Sequence, residues 1–147
     1  MTDDSVYVHA TTVAFDNHGV LITGPSGSGK SDLAVRLIDR GAVLVADDQT
    51  RLYLENNMVM ARAAKPLAGL MEVRGLGILK FPHAAHCPLA CIMDLTAEPA
   101  RLPDQQAAEY LGHSFPVFRI NAFENSAPCK VGLALKLVTG TIIRHDT

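Results

Sequence analysis

The segment that most constrains how this chain can fold is GPSGSGKS, residues 24–31. It matches the pattern G-x-x-x-x-G-K-[ST], in which glycines let the backbone curl so that several N–H groups point at phosphate oxygens. Such a loop joins a buried strand to a helix; here the apolar run GVLIT precedes it and the amphipathic run SDLAVRLIDR follows. We therefore predict a nucleotide-binding loop made of Gly24, Pro25, Ser26, Gly27, Ser28, Gly29, Lys30 and Ser31.

Two side chains of this loop carry the expected chemistry. Lys30 reaches the β- and γ-phosphates of a nucleotide, and the Ser31 hydroxyl is a ligand for Mg²⁺. The metal also needs a carboxylate. The apolar run VLVADD ends in Asp47 and Asp48, 17 and 18 residues after Lys30, and the run ACIMDL contains Asp94. Consecutive strands are often neighbours, so we expect the first pair beside the loop, with one carboxylate facing the phosphates to accept a proton.

The rest of the sequence predicts a chain rich in strands. Strands are expected at residues 5–15, 19–23, 42–46, 70–81, 88–95 and 115–123, with a hairpin around Asn56 and Asn57. Helices are expected at residues 31–40 and 130–145, with a short one in QQAAEYLG, residues 105–112. This order favours an α/β fold with a P-loop core and mixed β-sheets.

Composition limits the classes of protein to which the chain can belong. Its 147 residues fit one domain spanning 1–147, and a net charge of −2 gives no general attraction for nucleic acid or an anionic membrane. No apolar run is long enough to span a bilayer, and the acidic start MTDDS does not fit a signal peptide. Three cysteines do not suggest a disulfide framework. We expect a cytoplasmic protein.

Three segments together, GPSGSGKS, VADDQ and MEVRGLGIL, resemble the C-terminal catalytic domain of bacterial HPr kinase/phosphorylase. The resemblance runs from about Val8 to Leu135. It implies an ATP- and Mg²⁺-dependent serine protein kinase that acts on an HPr-type phosphocarrier protein. It also implies the reverse reaction, phosphorolysis of the phosphoserine by inorganic phosphate to give pyrophosphate. The core of such a domain resembles that of phosphoenolpyruvate carboxykinase. The family typically forms hexamers, so the resemblance also implies a homo-oligomer.

The resemblance also implies roles for individual residues. The catalytic residues it implies are His9, Lys30, Asp48 and Arg101. Asp48 would take the proton of the substrate serine in the kinase direction and return it in the reverse reaction. Ser31 and Glu72 match the Mg²⁺ ligands.

Supporting roles follow from the same resemblance. Asp47 is expected to be a supporting neighbour of Asp48. Arg74 would steady phosphate charge, and Gly75 and Gly77 would allow a close approach of the backbone. Lys130 stands in APCK, where the family usually has a Pro-Gly-Arg-Asn type motif associated with phosphorolysis. Lysine keeps the charge of arginine but lacks its bidentate fork, so phosphorolysis is less expected than kinase activity.

Two further departures separate the chain from most of that family. Most members carry an N-terminal domain before this core, which is not expected in this chain, and the segment between Phe81 and Arg101 is shorter than usual. Two rival functions therefore stay open. One is a small-metabolite or nucleotide kinase that uses Asp94 as its metal carboxylate, and the other is a non-catalytic ATP-binding regulatory module.

A zinc site in PHAAHCPLAC is not expected. His83, His86, Cys87 and Cys91 do not have the usual spacing of a structural zinc site. The two cysteines fall in an apolar strand, where a cysteine packs as a small core residue.

Overall fold

The computed structural model describes residues 5–145 of the chain. The strands are β1 (Ser5–Val8), β2 (Thr11–Phe15), β3 (His18–Thr23), β4 (Val43–Ala46), β5 (Thr50–Glu55), β6 (Met58–Ala63), β7 (Leu70–Val73), β8 (Gly77–Lys80), β9 (Cys87–Leu95), β10 (Gln106–Tyr110) and β11 (His113–Ile120). The helices are α1 (Lys30–Asp39) and α2 (Ala127–Thr139). The expected mixed α/β architecture is confirmed.

Nine of the strands form one mixed sheet. Its main path runs β1-β5-β6-β9-β3-β2-β4, with β11 also pairing with β9 and β10 with β11, while β7 and β8 form a separate two-stranded sheet. Strand β9 is parallel to both β3 and β11. Strand β2 is antiparallel to both β3 and β4, so β4 runs in the same direction as β3. The carboxyl ends of β3, β4, β9 and β11 therefore meet at one edge, the usual ligand-binding edge of such a sheet.

The sheet carries a hydrophobic cluster on each face. One cluster packs α1 and α2 against the sheet through residues such as Leu33, Leu37 and Val131. The other lies under β5, β6 and β10, and includes Leu52 and Ile92. Apolar residues therefore cover both faces of the central strands, which explains why β3 and β9 read as continuous apolar runs.

The first predicted strand is wrong in its extent. Residues 5–15 form two strands that pair with different partners, because β1 pairs with β5 whereas β2 pairs with β3 and β4. His9 and Ala10 lie between them. The break places His9 at the edge of the sheet where β2 begins, and this edge carries the carboxyl ends of β3 and β4.

The predicted short helix at residues 105–112 is wrong. Those residues contain β10, which pairs antiparallel with β11 in a hairpin. Leu111 and Gly112 have φ values of 52° and 81°, which form the tight turn between the two strands. Alternate residues Ala108 and Tyr110 pack on the second cluster, so tertiary burial overrides the helix propensity of the alanines and glutamate.

Two other predicted elements also differ from the structure. Residues 70–81 form the β7–β8 hairpin rather than one interrupted strand, because Gly75 and Gly77, with φ values of 91° and 102°, reverse the chain. Helix α2 spans Ala127–Thr139 instead of residues 130–145. It begins earlier because a proline fits in the first turn, and it ends where Gly140 adopts φ 79°.

Two glycines provide a matched test of packing in this fold. A Cβ at Gly19 in β3 would lie 2.6 Å from the Pro88 carbonyl oxygen and 2.8 Å from Cys87 Sγ, whereas one at Gly132 in α2 would meet nothing within 4 Å. We expect Gly19→Ala to lower the free energy of unfolding by about 1–3 kcal/mol. Gly132→Ala should raise it by about 0.5–1 kcal/mol. Urea unfolding curves check both, and equal effects of the two substitutions would contradict the packing of β3 on β9.

The buried cysteines are core residues. Cys87 belongs to the second cluster and Cys91 to the first, so they lie in different parts of the core. Burial raises the pKa of both thiols to about 12. Cys129, by contrast, is exposed.

These thiols should differ sharply in reactivity. At pH 8 the Cys87 and Cys91 thiols stay protonated and shielded, because this pH lies well below their raised pKa values. We expect the native protein to react quickly with one equivalent of a disulfide reagent such as DTNB, at Cys129, and with three equivalents after unfolding. Rapid reaction of three thiols in the native protein would contradict the burial of the strand β9 cysteines.

Neither helix in the described residues 5–145 has the length and apolar character that crossing a bilayer requires.

Candidate functional site

The glycine-rich loop lies at the carboxyl end of β3 and continues directly into α1. Gly24, Gly27 and Gly29 have φ values of 150°, 80° and 95°, which side chains rarely allow. The Ser28 N–H donates to the Pro25 carbonyl at 3.1 Å, and the Leu33 N–H closes the first helical turn onto the Gly29 carbonyl at 2.9 Å. The backbone thus has the curled form expected of a phosphate-binding loop, with the positive end of a helix at its exit.

The side chain of Lys30 packs against the backbone of this loop. This side chain is largely buried, with the residue only 8% exposed, although lysine is rarely buried. The ammonium donates to the Gly24 carbonyl at 2.8 Å and to the Pro25 carbonyl at 3.1 Å. These carbonyls satisfy the buried charge and hold the ammonium at the loop. The ammonium therefore stays at the loop that the sequence predicts to bind phosphate.

A hydrogen-bonded cluster joins the start of α1 to the start of β2 and to the residues that follow β4. Asp47 Oδ1 accepts from the Ser31 hydroxyl at 2.8 Å and from the Thr11 hydroxyl at 2.9 Å. The Asp48 N–H donates to Thr11 Oγ1 at 3.2 Å. Asp47 is therefore hydrogen-bonded to the serine of the loop. The sequence suggested only a supporting role for Asp47 beside Asp48, whereas in the structure Asp47 itself contacts the loop serine.

Asp48 points away from this cluster and toward His9. Its φ of 62° takes it out of the strand conformation, so its side chain does not follow the alternation of β4. His9 Nδ1 lies 3.5 Å from Asp48 Oδ1, and the two side chains are 58% and 73% exposed. They line a shallow pocket of about 440 Å³ together with Tyr7, Gln49 and Leu67. Such an exposed pair adds little to stability.

Asp94 occupies the corresponding position at the end of β9. Its Oδ1 accepts from the Thr23 hydroxyl at 2.8 Å, and its Oδ2 accepts from Arg119 Nε at 3.1 Å. Both carboxylate oxygens are thus engaged, one of them by a cation on the neighbouring strand β11. Asp94 connects three parallel strands, whereas Asp47 contacts the loop serine directly.

Other predicted site residues lie on the separate β7–β8 hairpin. Glu72 is in β7, and Glu72 and Arg74 are both exposed. Within residues 5–145, no hydrogen bond joins Glu72 to Ser31, whose hydroxyl donates to Asp47. Gly75 and Gly77 form the turn of this hairpin, and a Cβ at either would meet nothing within 4 Å. The close backbone approach that the resemblance implies stays a prediction.

The remaining predicted residues are Arg101 and Lys130. Arg101 is exposed in the loop between β9 and β10. Lys130 lies in the first turn of α2, and its ammonium donates to Glu124 Oε2 at 2.9 Å. Over residues 5–145, no three His, Cys, Asp or Glu side chains cluster in a way that could hold a metal ion. The catalytic and metal roles of these residues stay predictions.

Two residues next to the loop were not predicted. Thr11 fixes both Asp47 and the backbone of Asp48, and Phe123 lies against Gly29. A hint of Thr11 was present in the sequence, because a hydroxyl side chain stands two residues after His9. Phe123 had none, because its position beside the loop depends on the order of strands β3, β9 and β11.

Comparison with known proteins covers both the sequence and the fold. The family model "HPr Serine kinase C-terminal domain" matches residues 2–85. HPr kinase/phosphorylase from Lacticaseibacillus casei strain BL23 is 45% identical over 73 residues, which are 49% of this chain and 23% of that protein. Its counterpart from Neisseria meningitidis serogroup C is 50% identical over 66 residues, 44% of this chain and 21% of the relative. The aligned part is thus less than a quarter of either relative.

The solved structures give a broader match. The structure of the Hpr(Ser) kinase/phosphatase from Coxiella burnetii aligns with a TM-score of 0.80 and 26% identity, covering 92% of this chain and 97% of that one. The mixed α/β fold and the family resemblance of the sequence are therefore confirmed. The chain belongs to the HPr serine kinase C-terminal domain family.

Proposed function

We propose that residues 1–147 are one P-loop kinase catalytic domain that transfers the γ-phosphoryl group of ATP to a serine of an HPr-type phosphocarrier protein. The observation that carries this proposal is the convergence of three groups at one sheet edge. The glycine-rich loop holds the Lys30 ammonium, Ser31 contacts Asp47, and Asp48 lies beside His9. These groups provide a phosphate cradle, a metal-binding pair and a base within one site.

Ser31 and Asp47 are the best-placed residues to hold Mg²⁺. The hydroxyl and the carboxylate are hard oxygen donors that already lie 2.8 Å apart, and hard oxygen donors are the ligands that Mg²⁺ prefers. A bound Mg²⁺ would neutralise charge on the β- and γ-phosphates. Glu72 keeps the ligand role that the family resemblance implies, and Mg²⁺ titration of variants at the two carboxylates distinguishes their contributions.

Asp48 is the proposed general base. It is exposed at the sheet edge, so a serine on another protein can reach it. The carboxylate takes the serine proton as the serine oxygen forms a bond to the γ-phosphorus. The bond between the γ-phosphorus and the oxygen that bridges it to the β-phosphate breaks, and ADP leaves. His9, 3.5 Å away, is placed to orient the carboxylate. Lys30 and the loop N–H groups stabilise charge on the phosphates.

The reverse reaction receives less support from the residues of this chain. Phosphorolysis would need a site for inorganic phosphate, and it would yield pyrophosphate. Lys130, the cation in place of the family's arginine, forms an ion pair with Glu124. The proposed reaction is therefore the kinase direction. We expect it to take place in the cytoplasm, where ATP is available, and we expect the protein to form a homo-oligomer.

Transfer of labelled phosphate is the direct test of this function. The protein is incubated with γ-labelled ATP, Mg²⁺ and purified HPr-type proteins, and mass spectrometry then locates the modified residue. We expect a phosphoserine on the carrier that depends on Mg²⁺. Binding of ATP with no transfer to any HPr-type protein would contradict the proposal and favour an ATP-binding regulatory module. Transfer only to small metabolites would favour a metabolite kinase.

A further inference from the structure

An exposed phenylalanine stands next to the phosphate-binding loop. Phe123 is 68% exposed, which is unusual for a large aromatic side chain. A Cβ built on Gly29 would lie 3.3 Å from Phe123 Cε1 and 3.1 Å from Ala122 Cβ. The segment after β11 therefore lies directly against the loop, at the residue before Lys30. One part of the ring packs near Gly29 while most of it stays open to solvent.

The backbone around this ring is held in place on both sides. The Phe123 N–H donates to Asn121 Oδ1 at 2.9 Å, and Asn121 Nδ2 donates to the Ala97 carbonyl at 3.2 Å. Arg36, on the helix that follows the loop, donates to the Ala122 and Glu124 carbonyls. The ring is thus presented on an anchored segment rather than on a free loop. Pre-organised aromatic groups lose little entropy when they bind a partner.

The sheet order places the ring and the two aspartates on opposite sides of the loop. The strands around the loop run β4-β2-β3-β9-β11. Asp47 and Asp48 follow β4 on one side of the loop, and Phe123 follows β11 on the other. With Asp48 as the proposed base, the terminal phosphate lies on the β4 side of the loop. The nucleoside must then leave the loop on the opposite side, where Phe123 stands.

We propose that Phe123 stacks on the purine base of the nucleotide whose phosphates the loop binds. The inference rests on the proposed nucleotide binding and adds a base subsite to it. Every base has a π-face, and an aromatic ring stacks on it without needing hydrogen bonds to the base edge. The anchored segment 121–124 sets the distance from the phosphate cradle to the ring.

Calorimetry with two ligands tests the subsite. In the presence of Mg²⁺, we expect Phe123→Ala to weaken ATP binding by about 5- to 150-fold and to leave binding of inorganic tripolyphosphate unchanged. Tripolyphosphate has the phosphates of ATP but no base, so it reports on the loop alone. Met58→Ala is the matched control, since Met58 is also an exposed apolar residue. It begins β6 opposite Glu55, at the end of the β5–β6 hairpin far from Asp48. This substitution should alter neither affinity.

A second variant reports on the stack directly. The chain contains no tryptophan, so Phe123→Trp introduces a single tryptophan at the proposed subsite, whose emission can be excited selectively. We expect its emission to change on addition of Mg²⁺ and ATP and to stay constant on addition of Mg²⁺ and tripolyphosphate. The substitution keeps an aromatic ring, so ATP affinity should be retained.

The two ligands separate failure of this inference from failure of the proposed function. If Phe123→Ala weakens both ligands equally, the ring supports the loop and the base subsite is wrong. If it weakens neither, the subsite is also wrong, and nucleotide binding stands. If the unmodified protein binds neither ATP nor tripolyphosphate, the proposed function itself fails.

Discussion

Replacing Asp48 with asparagine is expected to reduce phosphoryl transfer by about 10²- to 10⁴-fold, the contribution typical of a general base. Affinity for ATP should stay nearly unchanged, because Asp48 points toward His9 and not toward Ser31. Asparagine has nearly the same shape but cannot accept the serine proton. The measurement is the rate of transfer from labelled ATP to an HPr-type protein, together with ATP affinity from calorimetry.

Asp94→Asn is the matched control for this result. Asp94 also ends a strand at the same edge, but Thr23 and Arg119 occupy its two oxygens. We expect its transfer rate to fall far less than that of Asp48→Asn. Full transfer by Asp48→Asn would remove this residue from the mechanism. A severe loss in Asp94→Asn alone would support the rival small-metabolite kinase.

Replacing Asp47 with asparagine is expected to raise the Mg²⁺ concentration needed for half-maximal transfer by about 10- to 100-fold. Asp47 is the carboxylate in contact with Ser31, and the neutral amide binds Mg²⁺ more weakly than a carboxylate. The amide oxygen still accepts hydrogen bonds from Thr11 and Ser31, so the fold should be retained. Titration of Mg²⁺ at a fixed ATP concentration measures the shift.

Glu72→Gln is the companion variant for this titration. Glu72 is the ligand implied by the family resemblance, but it lies exposed on the β7–β8 hairpin. Equal shifts in both variants would give Mg²⁺ two carboxylate ligands. A shift in Glu72→Gln with none in Asp47→Asn would contradict the proposed role of Asp47 as a metal ligand.

The strand, glycine-rich loop and helix around residues 24–31 were predictable because their signal is local. A complete motif between a buried strand and an amphipathic helix needs no knowledge of distant residues, and α1 begins within one residue of its predicted start. The predicted helix at residues 105–112 failed for the opposite reason. Its residues form β10 because pairing with β11 and the turn at Leu111 and Gly112 outweigh local propensity.

The arrangement of the two aspartates shows the same limit within the site. Sequence alternation indicated that only one of the pair would face the phosphates, but it could not show which one. The contact of Asp47 with Thr11 depends on β2 lying between β3 and β4, which is a long-range feature. The turn of Asp48 toward His9 depends on its left-handed φ of 62°, which no periodic pattern encodes.

A crystal structure with Mg²⁺ and a non-hydrolysable ATP analogue tests the central claim most directly. We expect the triphosphate inside loop 24–31, with the metal on Ser31 and Asp47 and the terminal phosphate on the side of Asp48. An empty loop, or a terminal phosphate on the Asp94 side with Asp48 turned away from it, would contradict the account.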